Sequence, residues 1–387
     1  MKRQRDLTLF LAGDVMTGRG IDQCLPRSTD PLLFEPYVKN AGDYVILAER
    51  QSGAISRPLT FTRLWGDALE ELNQRRPDVR IINLETAATT ANEPWPEKGI
   101  HYRMHPDNAA LLATAGVDIC VLANNHTMDW GRDGLTETIQ AVRNQNVTVA
   151  GAGPDAASAA TPARIDTGSG RLLVFAYTCP CAGTPLSWTP GASTPGVNLL
   201  NAPDQAGIAR VIREVRAIRC PDDRVIVSIH WGGNWGYDIP VIQQTFARRL
   251  IDAGAADIIY GHSSHHPKSM EIYRDRLILY GCGDLINDYE GIGGREEYSE
   301  DLPLMYFPRL DAGGALVSLE ITPMKIHRFS LCYSPKEAVA TLTDRLNHDP
   351  NLHTRIQFGV QPRWIQDHIP EEDRHGDRSC LRLVREP

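Results

Sequence analysis

At 387 residues the chain is long enough to bury a large core and to divide into two or three domains. Its composition, 42% hydrophobic and 23% charged with 32 Gly and 26 Pro, is that of a soluble globular protein rich in turns. The net charge of −8 argues against general affinity for nucleic acid, and no run approaches the ~18 apolar residues of a membrane span.

The start, Met1-Lys2-Arg3-Gln4-Arg5, has the charge of a secretory leader. The apolar run behind it, 7–12, is shorter than the usual ~7–15 residues and runs directly into Gly13-Asp14. It reads as a first buried strand over 7–13, with the cytoplasm as the expected location. Helical spacing follows over 61–74, a strand over 79–84, a helix from Pro106 to 115 and a buried strand over 117–123. A helix over 131–144 puts Leu135, Ile139 and Val142 on one face. Strands at 171–177, 224–230 and 257–260 alternate with helices at 204–218 and 240–253, which favours α/β. Late strands (271–273, 276–280 and 315–322) have no helix between them, so a mixed pair of sheets is expected. Loops are expected at 26–58, 180–195 and 287–308, and residues 334–387 read as a helical and polar extension to a domain spanning 1–333. The eight cysteines are scattered and read as reduced and structural. Only Cys179-Pro180-Cys181 are close, a spacing unlike a zinc finger's, with a redox or metal role as the lesser alternative.

Five short stretches carry the chemistry, each where a predicted strand ends. They are Gly13-Asp14-Val15-Met16, Asn83-Leu84-Glu85, Asn124-Asn125-His126, His230-Trp231-Gly232 and Gly261-His262-Ser263-Ser264-His265. Carboxylate, amide and imidazole donors suit a hard or borderline divalent cation, and strand ends are where the loops of an α/β sheet gather. Arg103 and Arg19 are candidates to bind an anionic substrate bidentately, an ion-paired or solvated arginine being the alternative. Asp284, after Gly281-Cys282-Gly283, either joins the site or closes a glycine turn.

Together with Asp129, Gly131 and Ala150-Gly151-Ala152-Gly153, these stretches resemble the CapA family of poly-γ-glutamate capsule-synthesis proteins, over roughly residues 7–290. That family is related to calcineurin-like metallophosphoesterases. The resemblance implies a four-layer α/β/β/α sandwich with mixed sheets, holding two divalent metal ions (Mn, Zn or Fe) between strand-end loops. It places Asp14 on the first ion, Glu85 as the bridging carboxylate and Asn125 on the second ion, with His230, His262 and His265 completing the set. It further implies that His126 protonates a leaving group, with Asp129 as its orienting partner. The expected protein is a metal-dependent hydrolase or transferase acting on a phosphoester or another anionic small-molecule or polymer substrate. The alternative is a non-catalytic scaffold or polyglutamate-binding subunit. Met16 stands where the wider superfamily commonly has histidine, and Glu85 where it has aspartate.

Overall fold

The computed structural model describes residues 5–168, 170–294, 298 and 301–347, and the backbone of 354–359 and 380–385. In chain order its principal strands are β1 (Leu7–Val15), β2 (Val79–Leu84), β3 (Ile119–Val121), β4 (Thr148–Ala150), β5 (Ala163–Thr167), β6 (Gly170–Thr178), β7 (Arg224–His230) and β8 (Ile258–His262). They continue with β9 (Met270–Tyr273), β10 (Arg276–Leu279), β11 (Asp284–Ile286), β12 (Leu304–Leu310), β13 (Leu316–His327), β14 (Ser330–Tyr333), β15 (Thr354–Gly359) and β16 (Cys380–Arg385).

Two sheets result. The larger runs β15-β16-β13-β12-β1-β2-β3-β4, with β11 added beside the end of β1 and β14 on β13. The smaller runs β9-β10-β8-β7-β6-β5. β1, β2, β3 and β4 pair in parallel, as do β6, β7, β8 and β10, whereas β12 and β13 run antiparallel. Each sheet is therefore mixed, as the helix-free spacing of the late strands predicts.

Alternation along β1 sorts the layers, since successive side chains leave opposite faces of a strand. Leu9 and Leu11 join Ile81, Ile119, Val174 and Ile226 in a core between the sheets. Phe10 and Ala12 face the other way, into a core with Trp65, Leu72 and Leu135 from the helices over the large sheet. On the outer side of the small sheet, Phe175, Val225 and Ile229 pack against Val211 and Phe246 of the helices Gln205–Ile218 and Val241–Asp252. Helix, sheet, sheet, helix: the chain is a four-layer α/β/β/α sandwich. Because both faces of β1 and β7 are covered, these strands read as near-continuous apolar runs.

The differences from expectation have local causes. The helical spacing over 61–74 is realised as two helices, Phe61–Trp65 and Asp67–Arg75. They break at Gly66, whose φ is +45° and where a Cβ would lie 2.1 Å from the Leu331 carbonyl oxygen. The expected loop over 26–58 contains the helix Gly42–Ser52. In the segment set apart after residue 333, Val339 and Leu342 of the helix Lys336–Leu346 enter the core between the sheets. The same segment adds β15 and β16 to the edge of the large sheet beyond β13.

One irregularity shapes the end of β1. The β1–β2 register shifts between Leu11 and Asp14, a bulge that re-aims the strand. There Gly13 passes so close to Gly283 that a Cβ would sit 1.7 Å from the Gly283 carbonyl oxygen. Gly13→Ala is expected to force β1 and β11 apart and to cost about 1–3 kcal/mol or more, read as a lowered urea midpoint with an unchanged m-value.

Candidate metal centre

Asp14 and Asn83 are register neighbours at the ends of β1 and β2, and Asp284 opens β11 on the other side of Asp14. His230 and His262 are neighbours at the ends of β7 and β8. The large sheet thus delivers carboxylates and the small sheet imidazoles to one edge of the sandwich. Tyr260 joins the two. At the break in the β1–β2 register, the Tyr260 hydroxyl accepts from Ala12 N at 3.1 Å while donating to the Ala12 carbonyl. Two residues further along each strand, His262 Nδ1 meets Asp14 Oδ1 at 3.0 Å. Ser263, held at φ +93°, turns its N–H to Asp14 Oδ2 at 3.3 Å, a strained conformation kept by its surroundings.

Asp14, Glu85 and His230 present ligand atoms all within 4.8 Å of one another, and each residue is buried. Asn83 Nδ2 donates to Asp14 Oδ1 at 2.7 Å, and Asn124 Nδ2 donates to Asn83 Oδ1 at 3.0 Å, so an amide chain fixes the carboxylate from behind. Glu85 Oε1 lies 3.9 Å from both His126 Nε2 and His230 Nε2, too far for hydrogen bonds.

Several buried polar atoms here have no hydrogen-bond partner among the described residues: both ring nitrogens of His230, Nε2 of His262 and Oδ1 of Asn125. Orphaned buried groups are rare because each forfeits its hydration. A divalent cation with bonds of about 2.0–2.2 Å would satisfy such nitrogens and oxygens at this spacing, so the residues fit one. The ionisation pattern agrees. Burial pushes Glu85 well up, and the Asp14 charge pushes it further, whereas burial of Asp14 is outweighed by the hydrogen bond and charge of His262 and it is lowered. Burial lowers His230 to about 3 in spite of Asp14, so its ring is neutral and able to ligate.

His126 and His265 are each held through Nδ1 by a carboxylate. Asp129 Oδ2 takes His126 Nδ1 at 2.6 Å and also accepts Tyr102 N at 2.7 Å. Lys98 adds its ammonium to Asp129 and to the Asn125 carbonyl. Burial lowers His126 to about 4 against the pull of Asp129. With Nδ1 donating to Asp129, Nε2 of the neutral ring carries the lone pair. Asp284 Oδ1 holds His265 Nδ1 at 2.9 Å, and Tyr289 stands 3.4 Å from His265 Nε2.

The arrangement brings Asp14, Glu85, His230 and His262 into one cluster and sets Asn125, His126 and His265 around it. It does not leave Arg19 or Arg103 free for an anion, against expectation. Arg19 spends its guanidinium on Asp288, Glu35 and Tyr44, and burial of this ion cluster explains why it is closed. Arg103 donates to Ala91 O, Asn92 Oδ1 and Asp30 O and lies over the Trp130 ring, 3.7 Å from its centroid. Reading the sequence missed Asn83, Lys98 and Tyr260 as parts of the site and left Asp284 undecided. Asn83 stood in a quoted motif, and the Gly281-Cys282-Gly283 run was the available signal for Asp284.

A family model described as "Bacterial capsule synthesis protein PGA_cap" matches residues 8–289. A "Probable polyglutamine synthesis accessory protein" of Mycobacterium tuberculosis is 44% identical, covering 94% of this chain and 95% of its own length. "Capsule biosynthesis protein CapA" of Bacillus anthracis is 24% identical over 88% of this chain and 72% of its own. Among solved structures, a 5′-nucleotidase precursor from Thermus thermophilus aligns over 88% of this chain and 59% of that one, at 14% identity and a TM-score of 0.47.

Tyr260→Phe is expected to cost about 1–3 kcal/mol, because the Ala12 amide and carbonyl lose their partner in a dry interface; urea unfolding reads it. The imidazoles also set a pH slope. His126, His230 and His266, lowered by burial to about 4, 3 and 4, take up protons near pH 6.5 only when unfolded. In chelator-treated protein their contribution is whole above pH 6.5 and drains as pH falls toward 4, by up to about 1.4 kcal/mol per pH unit for each group. Glu85, raised, runs the opposite way. The urea midpoint is therefore expected to fall from pH 7.5 to pH 5.

Proposed function

Because the chain belongs to the bacterial capsule synthesis protein family, we propose that it works in poly-γ-glutamate assembly as a metal-dependent hydrolase or transferase acting at a phosphoester or another anionic bond. The relatives' names attach them to polyglutamine and capsule synthesis. The supporting observation is His230, buried with both ring nitrogens unpartnered beside Asp14 and Glu85. Asp14, Glu85 and His230 would hold one divalent ion, and Asn125, His262 and His265 are the groups for a second. Manganese, zinc or iron in such a site supplies Lewis acidity, lowering the pKa of water and offsetting charge on a phosphoryl or acyl oxygen.

The chain's own residues handle the proton. Asp129 accepts from His126 Nδ1, which leaves the lone pair on Nε2 facing the cluster. His126 takes a proton from the attacking hydroxyl there and returns it to the leaving group, the use of one imidazole as base and then acid. Lys98 keeps Asp129 ionised and ties it to the Asn125 carbonyl. Asp284 holds His265 by Nδ1, which fixes the ring, with the Tyr289 hydroxyl 3.4 Å from Nε2. Tyr102, edge-on to His126 with ring centroids 4.7 Å apart, keeps water from that side of the imidazole.

Elemental analysis of the purified chain is expected to find near-stoichiometric Mn, Zn or Fe, lost in Asp14→Asn. Turnover of p-nitrophenyl phosphate or its bis ester is expected to fall about 10²–10⁴-fold in His126→Ala with metal retained. Metal-free protein that binds polyglutamate equally well with and without Asp14→Asn would overturn this reading in favour of a non-catalytic polymer-binding subunit.

A further inference from the structure

The Cys179-Pro180-Cys181 turn has no part in the chemistry above, yet it lies against the end of β7. Cys179 N donates to the His230 carbonyl at 2.9 Å, and Gly232 N donates to Cys181 Sγ at 3.3 Å, so the turn grips the strand end on both sides of Trp231. Cys179 is fully buried just before the single 3₁₀ turn Pro180–Ala182, and Cys181 on that turn is exposed. Pro180 sets the first φ of the turn, and Gly183 at φ +82° closes it.

We propose that this turn is a thiol modification site: Cys181 exchanges with a low-molecular-weight disulfide, and Cys179 resolves the adduct into a Cys179–Cys181 disulfide. The exposed sulfur accepts the Gly232 N–H at 3.3 Å, a contact of the kind that stabilises a thiolate. The neighbouring Cys179 thiol and Gly232 N, opposed by partial burial, bring Cys181 down to about 6. The thiols of Cys120 and Cys282 are buried among apolar strands, and burial raises both.

In the first step the Cys181 thiolate attacks one sulfur of the small disulfide. A mixed S–S bond forms, the original S–S bond breaks and one small thiolate leaves. In the second, Cys179 gives its proton to that thiolate and attacks the Cys181 sulfur, and the second small thiolate departs. Two cysteine sulfurs are oxidised by two electrons, and one small disulfide is reduced to two thiols. A disulfide between residues two apart closes a tight ring, which places it in the strained and reducible class. Excess small thiol would run both steps backwards.

The test treats the intact chain with oxidised glutathione, alkylates the remaining thiols and maps peptides by mass. The expected product is a peptide holding 179 and 181 that is two hydrogens lighter and unalkylated, and that reverts with dithiothreitol. Cys181 is expected to react about tenfold faster than Cys220, the other exposed thiol among the described residues. Cys179→Ser should stop at a stable glutathione adduct on Cys181, and Cys181→Ser should yield neither adduct nor disulfide. Cys181 reacting no faster than Cys220, or an adduct as persistent in the parent chain as in Cys179→Ser, would overturn the proposal.

Discussion

The centre depends on the contact between the Tyr260 hydroxyl and the main chain of Ala12, made across the interface between the two sheets. Two sheets packed face to face are otherwise held by side chains that interdigitate without direction. A hydroxyl paired to one peptide group sets the position of β8 against β1 along the strands, because a one-residue slip would leave both amide and carbonyl unmatched in a dry core. From this point each strand runs two residues further, to Asp14 and to His262, and the 3.0 Å contact between them follows. The β1–β2 register breaks beside this contact, between Leu11 and Asp14.

Around this fixed point the charges are arranged in pairs of unlike depth. Asp14 is supported by Asn83, His262 and Ser263 N, and stays ionised in spite of burial. Glu85 receives Asn83 Nδ2 at 3.5 Å, and burial with the Asp14 charge and hydrogen bond beside it raises its carboxyl instead. Two carboxylates in one low-dielectric site separate their ionisation in this way. A divalent cation would remove the reason for the separation. Binding would favour the ionised form of both carboxylates, which links metal affinity to pH.

The elements that carry Asp14, Glu85, Asn125, His230 and His262 were legible because each is a polar residue ending an apolar run, a pattern that survives in one dimension. Arg19 was left between two readings for the opposite reason. Its partners Glu35 and Asp288 lie 16 and 269 residues away, so a buried ion cluster looked like an unpaired cation next to a motif. Lys98 sits in a loop with no periodicity and reaches Asp129 and Asn125 only after the loop folds back. Tyr260 was hidden inside an apolar strand, where its ring counts as core and its hydroxyl leaves no trace in the pattern. Gly66 broke a helix that side-chain spacing alone supported, because the obstruction is the Leu331 carbonyl, supplied from a strand late in the chain.

The family match ends at residue 289, yet β12 begins at Leu304 and pairs antiparallel with β1 from Leu7↔Leu310 to Ala12↔Met305. The boundary of the family model is therefore not a boundary of the folded unit. Cutting the chain where the family model ends would strip one flank from the strand that carries Asp14. It would expose a row of unsatisfied peptide groups along an apolar strand, a template for sticking to other chains. Any excised version made for expression has to carry the later strands along with the motifs.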